Sequence, residues 1–548
     1  MSGSGRIFES LERTLRAAGH DGLAGAIWRG DASSALPTDR ALALVLVDAD
    51  RIQDTVLASP RPVTIYGASQ SLAEWDRRLR EERFAGFPDA TVLFAGGGNA
   101  TLLCPRDQAA GLARGLEVRF TEQMLARCTT AVLEVSPHEL AAGPAAPGVP
   151  ADVARRLRIG SGGGFGGCMA KLAHRLRSAK DAARPHPTLE APYSGPRCAE
   201  TGDRPGGGAD QRSEFAREHR RRGGEARRGR PGDAAQQALE QARTFDDITK
   251  DSWIGYVCID GAGIGAMIAG LGTLEQYVVV SAALADAFAL DDLALEEMGC
   301  QSERFQIILA GGDDLLLVVP AKATPDRVDV ISLTASLCQR IESRFAERTE
   351  SSTLRLGVGA GVVIANGLPA TFAFDYARTL CNQAKKTLGM GSADRSAIDY
   401  EVIGGGSPLS GSIDELRKSR TRTITHPWTQ QTVDFVTTRR PYGLSSVQRL
   451  LTRARALAGL DGEGQGRVPR SQRMALRRLF REDRDPQEAL IDLLYQAARH
   501  EGLRDALELE NLLEPASSEW VLAPTHDGRL ATGLMDLVEV SRLLEGGR

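Results

Sequence analysis

Residues Phe305–Pro320 read FQIILAGGDDLLLVVP. A mostly apolar run leads into Gly311-Gly312-Asp313-Asp314 and a second leads out, the pattern of a strand, a tight turn and a returning strand. Adjacent carboxylates on a turn between buried strands repel each other and lose hydration unless a cation sits between them. The chain also holds a faded copy of this hairpin. Ala95–Pro105 reads AGGGNATLLCP where Ala310–Pro320 reads AGGDDLLLVVP, and the two align without a gap. Gly98 stands opposite Asp313, and Asn99 opposite Asp314. The sequence therefore predicts two related modules, one bearing the acids and one that has lost them.

Working outward, each hairpin has the same neighbours. In the first module ALALVLVDAD from Ala41 reads as a buried strand ending in acids, and ASQSLAEWDRRLREERF from Ala68 as a helix. The hairpin, a helix from Arg106 and a strand over Thr130–Val135 follow. In the second, WIGYVCID (Trp253–Asp260) is the acid-ended strand and Thr273–Leu290 the helix. After its hairpin come a helix over Pro325–Ala346, a strand over Leu354–Ile364, a helix ending at Lys385-Lys386, and the strand SAIDYEVI. The order strand, helix, strand, strand, helix, strand predicts an α+β fold, with an antiparallel sheet and helices on one face.

The predicted domains are a helical leader (1–40), the first module (41–140), an insert (141–245), the second module (246–405) and a C-terminal helical domain (406–548). The insert is rich in Pro, Gly and Arg and poor in aromatic and β-branched residues, so it buries little surface. A helix is expected near Cys168–Ser178. SGGGFGGC (Ser161–Cys168) follows no strong strand and reads as a hinge, not a phosphate loop. The arginine tract Arg217–Arg230 suits either an RNA backbone or a solvated loop.

Net charge is −4 over 548 residues, which makes no global case for nucleic-acid binding. No apolar run is long enough to span a membrane, and the polar N-terminus does not read as a secretory signal. The eight cysteines form no C-x-x-C pair, as expected of reduced thiols in a cytoplasmic protein.

Two divalent cations about 4 Å apart would serve nucleotidyl transfer, one activating a hydroxyl and one holding a triphosphate. Magnesium (or manganese) takes oxygen ligands. Asp260, Asp313 and Asp314 can supply them, with the carbonyl of Gly261. Gly311 and Gly312 leave room for a nucleotide beside the backbone. The segment around Gly265 offers amides, and Lys385 and Lys386 offer cations, to phosphate. G-G-D-D is also an ordinary turn sequence; the acid-ended strand at the same place in both modules is what favours a site.

These residues resemble the large palm-domain subunit of type III CRISPR RNA-guided complexes, the cyclic oligoadenylate synthase. VDADRIQDTV, YGASQSL and LFAGGGN look like that family's degenerate first palm. IDGAGIG, VVVSAAL, ILAGGDDLLLVVP, GVGAGVVIANGLP and NQAKK look like its active second palm. The resemblance covers roughly residues 41 to 405. It implies two ferredoxin-like palm domains, with ATP as substrate joined 3′ to 5′ into a cyclic messenger. Asp260 and Asp313 would be metal ligands supported by Asp314. Ser281 and Ser69 would lie near nucleotides, and Gly97, Gly98 and Asn99 would line an acceptor pocket. Partners would be the small and backbone subunits, with guide and target RNA reached through the complex.

Three departures stand out. The family's HD nuclease has no room here: His20-Asp21 and His526-Asp527 lack converging ligands. The zinc ribbon is reduced to Arg197–Gly202 with one cysteine replaced by threonine, and Cys168 is its only candidate partner, so a zinc site is doubtful. Ala262 stands where the family commonly has an acid or asparagine. Two other readings remain open: a catalytically silent nucleotide-binding scaffold, and a GGDEF-type diguanylate cyclase that would prefer GTP.

Overall fold

The computed structural model describes residues 3–31, 36–50, 56–57, 62–81, 87–124, 126–141, 164–182, 245, 249, 253–289, 305–324, 327–349, 354–388, 394–404, 412–418, 421–425, 432–460, 468–479, 485–509, 518–524 and 529–545. The arginine tract, Cys198 with its knuckle, His526-Asp527 and most of the insert lie outside them.

Two helices open the chain, α1 (Gly3–Ala17) and α2 (Ala24–Arg29). The first module then runs β1 (Leu42–Ala49), α3 (Pro62–Glu81), β2 (Thr91–Gly96), β3 (Asn99–Pro105), α4 (Ala109–Met124) and β4 (Cys128–Val135). Its sheet has the order β2-β3-β1-β4, antiparallel throughout. Two helices follow, α5 (Pro137–Ala141) and α6 (Gly164–Asp181).

The second module repeats this plan with β5 (Ile254–Ala262), α7 (Ile264–Ala269), α8 (Leu274–Ala287), β6 (Gln306–Gly311), β7 (Asp314–Pro320), α9 (Val330–Thr349) and β8 (Gly357–Ala365). Helix α10 (Ala370–Leu388) and strand β9 (Ala397–Ile403) come next. β8, β5, β7 and β6 take the same order as β4, β1, β3 and β2. Here the sheet departs from the expected antiparallel one. β9 lies parallel to β8, with α10 as the crossover between them.

Helices also cover both faces of each sheet, not one. In the first module Ala43, Val45 and Val47 pack with α3 and α4, while Leu42 and Leu44 pack with α1, α2 and α6. In the second, Val257 and Ile259 face α8 and α9, while Tyr256 and Cys258 face α10. Doubly buried strands read as continuous apolar runs rather than alternating ones. Two hydrophobic layers result: one joins the α1/α2/α6 face of the first sheet to the α8/α9 face of the second, and the other joins the α3/α4 face of the first to the α10 face of the second.

Gly164–Cys168 of the SGGGFGGC stretch do not form the expected hinge. From Gly164 onward the stretch is the buried first turn of α6, and the Gly166 N–H donates to the Leu271 carbonyl at 3.1 Å. A Cβ at Gly166 would fall on the carbonyls of Leu271 and Ala269, so only glycine lets the helix seat on the second module.

The tail contains the expected helices: α11 (Ile413–Lys418), α12 (Leu444–Ala458), α13 (Arg470–Leu479), α14 (Pro486–Arg499), α15 (Glu501–Ala506) and α16 (Leu534–Glu545). It also contains strands not expected from its helical periodicity. β10 (Thr421–Thr425), β11 (Thr432–Val436), β13 (Ala523–Pro524) and β14 (Leu530–Ala531) form a small sheet, and β12 (Tyr442–Gly443) extends the second module's sheet beyond β9. A buried ionic joint ties the tail to β9. The Arg440 guanidinium lies 2.8 Å from Asp536 and 3.4 Å from Glu401, contacts Glu539, and stacks over the Tyr400 ring at 3.7 Å.

Candidate functional site

The ladder registers show why the two hairpins align in sequence. Asp260, near the end of β5, pairs with Asp314; Asp48, at the same place in β1, pairs with Asn99. Each hairpin carries a bulge at the same point, between Val92 and Phe94 in one and between Ile307 and Leu309 in the other. The copies share strand order, bulge and turn, and differ in the acids.

At the second turn the Gly261 N–H donates to the Asp313 carbonyl at 3.2 Å, which fixes the turn beside the end of β5. Asp260 and Asp313 are both half-buried. Burial raises the pKa of Asp313 to about 6, and the neighbouring Asp260 charge adds to that rise. Burial also raises the pKa of Asp260, against the pull of Lys385. Two such acids favour a shared cation.

Lys385 supplies one. Its ammonium pairs directly with the Asp260 carboxylate. The sequence positions it through glycines: Gly359 and Gly361 of β8 let α10 ride on the strand, and a Cβ at Gly359 would lie 2.8 Å from the Cys381 carbonyl. Burial would lower the pKa of Lys385, but Asp260 overrides it and leaves it raised.

The other expected residues distribute as follows. Gly261, Gly311 and Gly312 lie at the site, Asp314 is half-buried in the ladder, and Lys386 is exposed one residue beyond Lys385. Gly265 is exposed on α7, a short helix. Ser281 and Ser69 are buried, Ser281 bonded to Tyr277. Tyr277 donates across the modules to Thr101 at 2.8 Å. Gly97 and Gly98 are buried and Asn99 half-buried. The first turn abuts the second turn. A Cβ on Gly97 would lie 2.8 Å from the Gly311 carbonyl oxygen, and one on Gly312 3.3 Å from that of Gly96.

Two residues that the sequence reading passed over prove informative. Asp76, on α3, is 5% exposed and accepts from the Gly98 N–H at 3.2 Å. Its signal was an acid within the apolar stripe of Leu72, Trp75 and Leu79. Lys180, in the last turn of α6, bridges Asp48 at 2.8 Å and Asp50 at 3.0 Å. Lys180 does in the first module what Lys385 does in the second, but its place in the insert gave no local signal.

Among the described residues no three histidine, cysteine, aspartate or glutamate side chains converge as a metal-binding group. Asp260 and Asp313 still suit magnesium, which commonly takes one or two carboxylates and completes its shell with water and substrate phosphates. The zinc expectation gains no support from Cys168, which is buried in α6 and directed at the Glu139 carbonyl. His20 is buried against Asp39 at 3.5 Å. No helix among the described residues is long and apolar enough to cross a membrane.

Comparison with known proteins places these features. Residues 253–392 match the family described as Cas10/Cmr2, second palm domain. Among solved structures, a Csm1–Csm4 cassette in complex with cA4 gives a TM-score of 0.52 at 14% identity, covering 97% of this chain and 72% of that one. The same cassette with one ATP gives the same three values and 72% coverage. Csm1 in T. onnurineus gives 0.50 at 14% identity, covering 94% of this chain and 71% of that one. At such identity the likeness is one of fold. No curated protein matches the chain. Residues 253–392 thus match a Cas10/Cmr2 second palm domain, set against a first module of the same strand order.

Proposed function

We propose that this chain is the large subunit of a type III CRISPR–Csm complex and that its second palm joins ATP molecules into cyclic oligoadenylate. The observation that carries this reading is the Asp260–Asp313 pair at the second palm's turn, pressed against the matching glycine turn of the first palm. Relatives of the same fold have been solved with ATP and with cA4, and with Csm4 as partner. Csm4-type and other subunits, with guide and target RNA, are the partners this reading assigns.

In the proposed reaction a 3′-hydroxyl oxygen attacks the α-phosphorus of a bound ATP. The new P–O bond forms as the bond to pyrophosphate breaks. Asp260 and Asp313 would hold magnesium or manganese, which supplies charge neutralisation at the phosphates and a more acidic hydroxyl. Lys385 pairs with Asp260 and in this reading would turn toward the triphosphate when the carboxylate binds metal. Gly311 and Gly312 would let a nucleotide approach the backbone, and Asn99 stands at the first palm's turn, at the start of β3.

The silent-scaffold reading draws on that same Lys385–Asp260 pair, which already neutralises one acid. The diguanylate reading is separated by base preference. Product analysis by mass spectrometry tests all three. The complex purified with its RNA is given ATP or GTP, manganese and target RNA, beside an Asp313→Ala, Asp314→Ala variant. Cyclic oligoadenylate from the wild type alone supports the proposal. No product, with guide and target RNA bound, favours the scaffold, and a guanylate product the diguanylate cyclase.

A further inference from the structure

Asp76 has a place in the fold that neither the synthase chemistry nor ordinary helix design explains. It sits on the inward face of α3, between Trp75 and Leu79. Its Oδ1 accepts from the Gly98 N–H at 3.2 Å, and the Gly97 N–H also bonds to it. Its Oδ2 lies 4.0 Å from the point where a Cβ on Gly311 would stand. One buried carboxylate therefore holds the first palm's turn from behind and reaches the edge of the second palm's turn. Burial raises its pKa to about 7, while the turn amides and Arg80 pull it back. The Arg80 Nε donates instead to the Asp76 backbone carbonyl at 3.2 Å, so no described ion pair compensates the carboxylate. An acid kept in so unfavourable a position, bonded to a turn that is itself wedged under the Gly-Gly-Asp-Asp turn, is placed to set that second turn.

We propose that Asp76 is a positioning residue: by anchoring the Gly97–Gly98 turn it fixes the ledge on which Gly311–Asp314 rests, and so the placing of Asp313 beside Asp260. The functional consequence rests on the synthase reading above; the mechanical coupling does not. Misplacement of catalytic groups by about 1 Å is enough to reduce turnover about 100-fold.

The test combines hydrogen–deuterium exchange with steady-state kinetics on the assembled, RNA-bound complex. Asp76→Ala removes the acceptor. Asp76→Asn keeps an oxygen acceptor in place. Asp76→Glu keeps the charge but moves the acceptor outward by a methylene, and serves if Asp76→Ala does not fold. Asp76→Ala is expected to raise amide exchange about tenfold at residues 96–99 and also at 311–314. Turnover of ATP should fall at least tenfold, with KM for ATP within threefold of wild type. Asp76→Asn should stay within threefold on all readouts, and Asp76→Glu should lose turnover while remaining folded. Exchange that rises only at 96–99, or turnover in Asp76→Ala equal to wild type, overturns the proposal. If the wild-type complex makes no product, the synthase reading has failed, and the exchange at 311–314 decides the positioning role alone.

Discussion

Replacing Gly97 by alanine is the sharpest probe of the contact between the two turns. Gly97 has φ +63°, and an added Cβ would meet the Gly311 carbonyl oxygen at 2.8 Å, its carbon at 3.1 Å and the Gly312 Cα at 3.3 Å. All three are backbone atoms, so no flexible side chain can swing away. The left-handed conformation alone costs a non-glycine residue about 1–2 kcal/mol. Forcing a methyl group into a packed contact adds about 1–3 kcal/mol. Gly97→Ala should therefore destabilise by about 2–5 kcal/mol. Gly367 supplies the control, because its φ is +71° and a Cβ there meets nothing within 4 Å. Gly367→Ala should cost only the conformational part, about 1–2 kcal/mol. Urea unfolding of both variants measures the difference, and ATP turnover in the complex should fall for Gly97→Ala alone. Equal destabilisation of the two variants, with turnover intact in both, would refute the packing of turn on turn.

Further expectations follow from the buried charges. The pKa of Asp76 rises from 3.8 to about 7 on folding, so between those values the folded chain binds more protons than the unfolded one. Stability from this group is then greatest near pH 4 and falls as pH rises toward 7, by about 4 kcal/mol at 1.36 kcal/mol per unit. Asp313, raised to about 6, acts in the same direction. Asp76→Asn should flatten the profile of unfolding free energy between pH 4 and pH 7; an unchanged slope would contradict the burial argument. At the tail joint, Arg440→Met leaves Asp536 buried without its cation and takes one of two cations from Glu401, which keeps Arg417 at 3.4 Å. Removing one partner of such a pair costs about 3–5 kcal/mol, measurable by denaturant titration, and a loss below 1 kcal/mol would count against the joint.

The hairpins were legible because both copies preserve the gap-free glycine turn and the strand apolarity on either side. The same apolarity carried information that a single-faced sheet did not use. ALALVLV does not alternate, and the reason is that α3 and α6 cover opposite faces of β1. The parallel β9 was hidden because a strand's direction depends on its crossover, here α10, and not on its own residues. The tail's short strands, β12 to β14, are two residues each, too few to show a period. Asp260, Asp313 and Lys385 were visible as a strand end, a turn and a helix end, and the fold brings these three together. Lys180 and Asp76 were not, since each acts through a partner distant in sequence: Asp48 and Asp50 for one, Gly98 for the other.

The central claim is that Asp260 and Asp313 form a working nucleotidyl-transfer site. Pyrophosphate release from ATP tests it most directly. It would be followed on the RNA-bound complex with manganese, for the wild type, Asp313→Ala and the fold control Gly367→Ala. The account expects release from the wild type and Gly367→Ala, with at least a 100-fold loss in Asp313→Ala. Release that persists undiminished in Asp313→Ala would contradict it.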